Sequence, residues 1–213
     1  RYGTIDEIPA NLTNNHEILA LLMTHGSLKA KAWQIKHTGQ GSCDLGYLTD
    51  LRSPSSKVQR ENPPKITNAI QFTQVLNNAL PNVIFQKNII ETQWLKLAIN
   101  CVINPLTAIH NIENGKILSV DFVDLIADIL DEVVIIAGYQ QVVLDHKMLT
   151  HKVLEVAKAT EQNHSSMLCD VQAQRKTEID YINGYIDRLG KIFNYPTPVN
   201  TALYLKVLQL PHS

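Results

Sequence analysis

From residue 88 to the C-terminus, apolar positions recur every three to four residues, the period of an amphipathic helix. The pattern predicts helices over 91–109, 120–139, 146–162, 165–193 and 198–208. Ser119, with Asp121 and Asp124 in the turn that follows, and Thr197 before Pro198 supply cap signals. The preceding part reads differently. Over 18–50, β-favouring apolar runs are broken by Gly26, Gly39, Gly41 and Gly46, which predicts three short strands forming a meander at the edge of a larger sheet. A polar, proline-bearing stretch at 51–64 reads as a surface loop, 65–80 as an amphipathic helix and 82–86 as a strand. The expected fold is α+β: an α/β part over 1–86 with short strands, then an all-helical domain over 87–213.

Inside the first long helix, WLKLAINCVINPLTAI carries Lys96, Asn100 and Asn104 at every fourth position among Leu97, Ala98, Ile99, Val102 and Ile103. That spacing lines an amine and two amides along one helix face. Apolar flanks would partly desolvate the Lys96 ammonium and pull its pKa down, towards use as a general acid near neutral pH. The structural alternative is that the amides satisfy neighbouring backbone and the lysine snorkels outward. A second polar group follows at Asn163, Ser165 and Ser166, with Glu178, Asp180 and Asn183 beyond it. On a straight helix Glu178 would sit about 120° round from Ser166, so convergence needs a cap or bend near Ser165. Without such a bend, Ser165 reads as an N-cap and Glu178 as a solvated carboxylate.

Composition narrows the function classes. Across 213 residues the chain is 45% hydrophobic and 18% charged, with a formal net charge of −1. It has no dense basic run interleaved with aromatics, which argues against a nucleic-acid partner. Asp128, Asp131 and Glu132 interrupt the apolar stretch around Val133, so no spanning segment of about 20 apolar residues forms, and a membrane partner is not expected. The first residues lack the shape of a signal peptide, which makes cytoplasm the expected location. Cys43, Cys101 and Cys169 are scattered and the histidines show no ligand spacing, so no metal is expected. The glycines at 39–46 miss the G-x-G-x-x-G spacing and fall between strands, which reads as a turn.

The stretches KLAINCVINPLTAIHNIENG (96–115) and NHSSMLCDVQAQRKTEIDYINGYI (163–186) closely resemble ketopantoate reductases. The resemblance continues through MTHGSLKAKAWQIKHTGQG (23–41) and TPVNTALY (197–204), covering nearly the whole chain in order. It implies an oxidoreductase of pantothenate and coenzyme A biosynthesis, in which NADPH delivers hydride to the C2 ketone of 2-dehydropantoate. Lys96 then matches the catalytic lysine that protonates the developing alkoxide, and Glu178 the paired catalytic acid that assists binding and catalysis. Asn100, Asn104 and Asn163 match amides that hold the substrate, chiefly its C4 hydroxyl, and Ser166 a hydroxyl that bonds its carboxylate. The helical domain is expected to resemble the C-terminal domain of 6-phosphogluconate dehydrogenase relatives, an analogy of fold alone.

The resemblance departs at the start. Family members open with a strand, G-x-G-x-x-G and a helix, and these are not among the residues of this chain. Residues 1–86 are therefore expected to be the C-terminal remnant of an NADP-binding Rossmann domain, with cofactor-binding residues unassigned. The chain by itself is expected to bind NADPH poorly and to be weak or inactive, since pyrophosphate binding relies on that helix N-terminus. A homo-oligomer is compatible with the sequence. Two other readings stay open: a non-catalytic helical interaction module, and a reductase of another 2-oxo acid.

Overall fold

The computed structural model describes residues 18–39, 41–48 and 66–211. The described residues divide between two compact units, one up to residue 93 and one from residue 94 on. The predicted loop at 51–64 lies outside the described residues.

In the first unit, strands β1 (Leu19–Met23), β2 (Gly26–Lys31), β3 (Gln34–Gly39) and β4 (Cys43–Tyr47) precede helix α1 (Ile66–Asn77) and strand β5 (Val83–Phe85). The expected three-strand meander is corrected here. β2 and β3 form a separate antiparallel hairpin, while β1 pairs antiparallel with β4, which pairs parallel with β5. The reason lies in the turn chemistry. Trp33 turns left-handed (φ 65°) at the hairpin tip, which folds β3 back on β2, and the Thr24 N–H bond to the Ser42 carbonyl (2.9 Å) closes the base of the hairpin where β4 returns beside β1. Cys43, Leu45 and Val83 are buried together beneath Leu19, Leu76 and Leu80. Asn77 locks α1 to β5 reciprocally: its Nδ2 donates to the Val83 carbonyl (3.0 Å) and its Oδ1 accepts the Val83 N–H (2.8 Å). Gly46 permits a close approach, because a Cβ there would stand 2.6 Å from Ile89 Cβ and 2.8 Å from the Gln86 carbonyl oxygen.

Helix α2 (Ile89–His110) leads into the helical unit, where every residue from Cys101 to Ala108 is buried. Two short 3-10 turns, Asn114–Leu118 and Val120–Phe122, lead to α3 (Val123–Tyr139), followed by α4 (His146–Ala159). Three further helices complete the unit: α5 (Ser166–Gln172), α6 (Asn183–Ile192) and α7 (Pro198–Leu208). α3 packs against α4, α6 and α7, with Ile129, Leu130, Val133 and Ile136 in the core. Among the described residues, no helix is long and apolar enough to cross a membrane. The observed class is α+β, as the sequence pattern predicts.

Three helix expectations change. The predicted single helix over 165–193 is broken. α5 stops where Gln174 turns left-handed (φ 55°), and the Arg175 N–H and guanidinium fold back onto the Asp170 carbonyl and carboxylate. A 3-10 turn at Ile179–Tyr181 then restarts the chain towards α6. The helix expected over 146–162 ends at Ala159. At α7, Thr197 precedes Pro198 as expected but makes no side-chain cap bond. The free N–H groups are taken instead by Glu132 from α3, whose carboxylate accepts from Val199 N (2.8 Å), Asn200 N (2.9 Å) and Asn200 Nδ2 (2.7 Å). A buried carboxylate at a helix N-terminus satisfies orphan donors and complements the helix dipole.

Candidate active site

Helix α2 contains a proline in its interior, Pro105. Proline has no N–H, so the Cys101 carbonyl four residues earlier loses its helical partner. Asn183 Nδ2 donates to that carbonyl at 3.0 Å. The same amide nitrogen donates to Asn200 Oδ1 at 2.9 Å, and Asn200 Nδ2 reaches the Ile129 carbonyl and Glu132. One polar chain thus runs from the carbonyl that Pro105 leaves free in α2 to the cap of α7. Asn183 is fully buried and its Oδ1 has no partner, an arrangement that costs about 1–3 kcal/mol.

A second tie joins α2 to the segment after α4. Thr107 donates to the Ile103 carbonyl (2.7 Å), and its hydroxyl lies 2.7 Å from that of Ser165. Ser165 is the N-cap of α5, accepting the Leu168 N–H at 3.0 Å. The cap expected from sequence is therefore present, and it is bonded to α2. Thr107 lies eleven residues after Lys96, within about 20° of it round the helix, so the tie falls on the Lys96–Asn100–Asn104 face. Sequence reading passed over Thr107, although the same helical spacing selects it.

Lys96 and Asn100 are half-buried and Asn104 is 7% exposed. Among the described residues, neither the Asn100 nor the Asn104 side chain makes a hydrogen bond to the protein. The structural alternative for these amides, service to neighbouring backbone, does not hold. Two amides in an apolar helix without partners are donors and acceptors available to a small polar molecule.

The remaining predicted residues lie on the segment that the two ties secure. Ser166 is the first residue of α5 and is exposed; Glu178 is exposed at the start of the 3-10 turn that leads to α6. The break between α5 and α6 replaces the straight helix on which Ser166 and Glu178 would diverge. Asn163 has an exposed side chain and a fixed backbone: its carbonyl accepts the Asn114 N–H (2.9 Å), and Gly115 N–H donates to the Glu161 carbonyl (3.0 Å). Asn114, also passed over in the sequence, is buried, with Nδ2 on the Thr160 hydroxyl (3.0 Å) and Oδ1 unpartnered.

Gly115 sets how closely these two segments approach. A Cβ there would fall 2.6 Å from Glu161 Cβ and 2.9 Å from its Cα, so backbone must move. Gly115→Ala is expected to loosen the Asn163 turn and lower the unfolding midpoint by several degrees, at about 1–3 kcal/mol of overpacking. A midpoint unchanged in thermal unfolding would mean that the two segments separate without cost.

The cysteines offer no nucleophile on this face. Burial, with a lesser contribution from the Glu132 carboxylate, pushes the Cys101 thiol far above its ordinary range. Burial also raises Cys169. Among the described residues, no group of three or more His, Cys, Asp or Glu side chains could hold a metal ion.

Residues 88–210 match the family described as ketopantoate reductase PanE/ApbA C terminal. A 2-dehydropantoate 2-reductase from Vibrio cholerae serotype O1 is 36% identical over 211 residues, covering 99% of this chain and 66% of that protein. One from Yersinia pestis is 33% identical over 202 residues, covering 95% and 60%. The chain spans less than two thirds of the length of these relatives. Among solved structures, a D-mandelate dehydrogenase complexed with NADH superposes with a TM-score of 0.79 at 24% identity, covering 89% of this chain and 60% of that one. A PanE/ApbA family ketopantoate reductase from Ralstonia eutropha JMP134 gives 0.74 at 22%, covering 90% and 58%. These two likenesses show a shared fold. The family match extends over more than half of the residues, and the chain belongs to the ketopantoate reductase family.

Proposed function

We propose that this chain carries the substrate and proton-donating part of a reductase that converts 2-dehydropantoate to pantoate, with NADPH as hydride donor. The observation that carries this reading is the pair of unpartnered amides, Asn100 and Asn104, in line with Lys96 on a helix to which the Ser165–Ser166 segment is bonded. An ammonium, neutral amides and a hydroxyl suit a small hydroxylated 2-oxo acid.

A bound nicotinamide supplies the hydride in this chemistry. Lys96 would donate a proton to the substrate's ketone oxygen, neutralising the negative charge that would develop there on reduction. Asn100, Asn104 and Asn163 bind the substrate, chiefly through its C4 hydroxyl. An analogue lacking that hydroxyl would leave the amides unpaired, which is the basis for discrimination among 2-oxo acids. Ser166, at the N-terminus of α5, bonds the substrate carboxylate, and Glu178 is the second catalytic residue. Residues 87–213 form the substrate domain in this reading, and residues 1–86 belong to the nucleotide-binding domain.

Among the described residues of the first unit, no strand passes through a glycine-bearing turn into a helix, the geometry that holds a pyrophosphate. Titrating this 213-residue polypeptide with NADPH is expected to give no saturable fluorescence change at micromolar cofactor. Tight, stoichiometric binding would overturn that expectation. The functional reading is tested by joining a family member's glycine-rich nucleotide-binding segment ahead of Arg1 and following NADPH consumption with 2-dehydropantoate. Turnover supports it; silence from a chimera that folds and binds NADPH removes it.

A further inference from the structure

Resting on the reductase reading, we propose that Asn183 is a positioning residue: its amide supplies the hydrogen bond that Pro105 withholds from α2, and so fixes how Lys96 and Asn100 meet the segment bearing Glu178. Three features converge on it. First, the Cys101 carbonyl belongs to a fully buried residue and loses its helical donor to Pro105, so a donor must come from elsewhere in the fold. Asn183 Nδ2 provides one at 3.0 Å.

Second, the orientation of the amide is set by its other bond. The second donor direction of Nδ2 is taken by Asn200 Oδ1 at 2.9 Å, and Asn200 is itself held by Glu132 and the Ile129 carbonyl. Turning the amide over would face its oxygen towards two acceptors. Third, Oδ1 remains buried without a partner. A side chain kept only for packing needs no amide, whereas one kept for its N–H groups tolerates an orphaned oxygen.

Position connects the bond to the chemistry. Cys101 directly follows Asn100 on α2, and Asn183 begins α6, separated from Glu178 by the 3-10 turn at Ile179–Tyr181 and Ile182. The Asn183–Cys101 bond is thus a short tie between the helix that presents Lys96 and the turn that presents Glu178. Loss of the tie lets the proline-bearing helix and the turn move independently.

The test is a double-mutant cycle of Asn183→Leu and Pro105→Ala. It is read in two ways: thermal unfolding of this chain, and kcat and KM in the chimera described above. Asn183→Leu is expected to lower the unfolding midpoint and to reduce kcat by about tenfold or more, with a smaller change in KM. In the Pro105→Ala background residue 105 regains an N–H for Cys101, so the same substitution should cost less than half as much in midpoint and kcat should recover. Equal losses in both backgrounds would overturn the proposal and leave Asn183 as a packing residue. A coupled midpoint with kcat unchanged would also overturn it, reducing the bond to a structural one. Should the parent chimera bind NADPH yet leave 2-dehydropantoate untouched, the reductase reading fails and the positioning role with it, while the midpoint cycle still decides whether the bond exists. If Asn183→Leu does not fold, Asn183→Ala runs the same cycle.

Discussion

Lys96→Ala should lower kcat for 2-dehydropantoate by about 10²–10⁴-fold in a chimera competent for NADPH, with KM changed far less. The asymmetry follows from what each group faces. In the proposed reading, Asn100, Asn104 and Ser166 would meet groups that exist in the bound substrate and persist through the reaction, so they would contribute to binding. In that reading the Lys96 ammonium would face a ketone oxygen that becomes strongly basic only in the transition state, so its contribution would belong there. Lys96→Arg separates charge from proton donation, because guanidinium does not release a proton near neutral pH. It should preserve KM and leave kcat low. A Lys96→Ala enzyme within threefold of the parent kcat would sink the assignment. It would place the proton donor elsewhere, with Glu178 the next group to remove.

The largest stability effect is expected at Glu132. Its carboxylate receives three N–H bonds at the start of α7 and is 7% exposed. Glu132→Ala strips partners from Val199 N, Asn200 N and Asn200 Nδ2 together. It also loosens Asn200, on which the Asn183 amide depends. A cost on the order of 3 kcal/mol follows from leaving buried donors unpaired and a helix uncapped, a loss of roughly 10 °C in unfolding midpoint for a unit of this size. Glu132→Gln keeps the shape and one acceptor oxygen, and should fall between the parent and alanine. Thermal unfolding with Glu132→Ala indistinguishable from the parent would show that water replaces the carboxylate at no cost, and the polar chain through Asn200 would lose its role.

Local features were legible in the sequence, and long-range ones were not. α7 runs over the residues its pattern selects, because Pro198 at its first position and a run of apolar, helix-compatible residues define it from within. α2 is legible for the same reason, despite the proline inside it. The break between α5 and α6 was hidden: Gln174, which turns left-handed there, is a good helix former, and the polar residues around it resemble an exposed helix face. The β1–β4 pairing was hidden by the hairpin inserted between the two strands, since alternation identifies a strand without naming its partner. In the proposed site, Lys96, Asn100 and Asn104 are picked out by their spacing on one helix. Thr107 shares that spacing and drew no attention, being a residue that commonly bonds its own helix. Glu132 and Asn183 could not be assigned, because their partners lie on other helices: the sequence presents Glu132 as a charge interrupting an apolar run and places Asn183 in a polar cluster.

The two tryptophans stand in opposite environments. Trp33, at the hairpin tip, is fully exposed, whereas Trp94 is 5% exposed beside the Tyr185 ring, 6.3 Å away between centroids. The chain therefore carries two optical probes that a soluble quencher tells apart. Iodide should extinguish the red-shifted emission of Trp33 while sparing the bluer emission of Trp94. Unfolding followed in iodide would report the environment at the start of the Lys96 helix, with the hairpin silent.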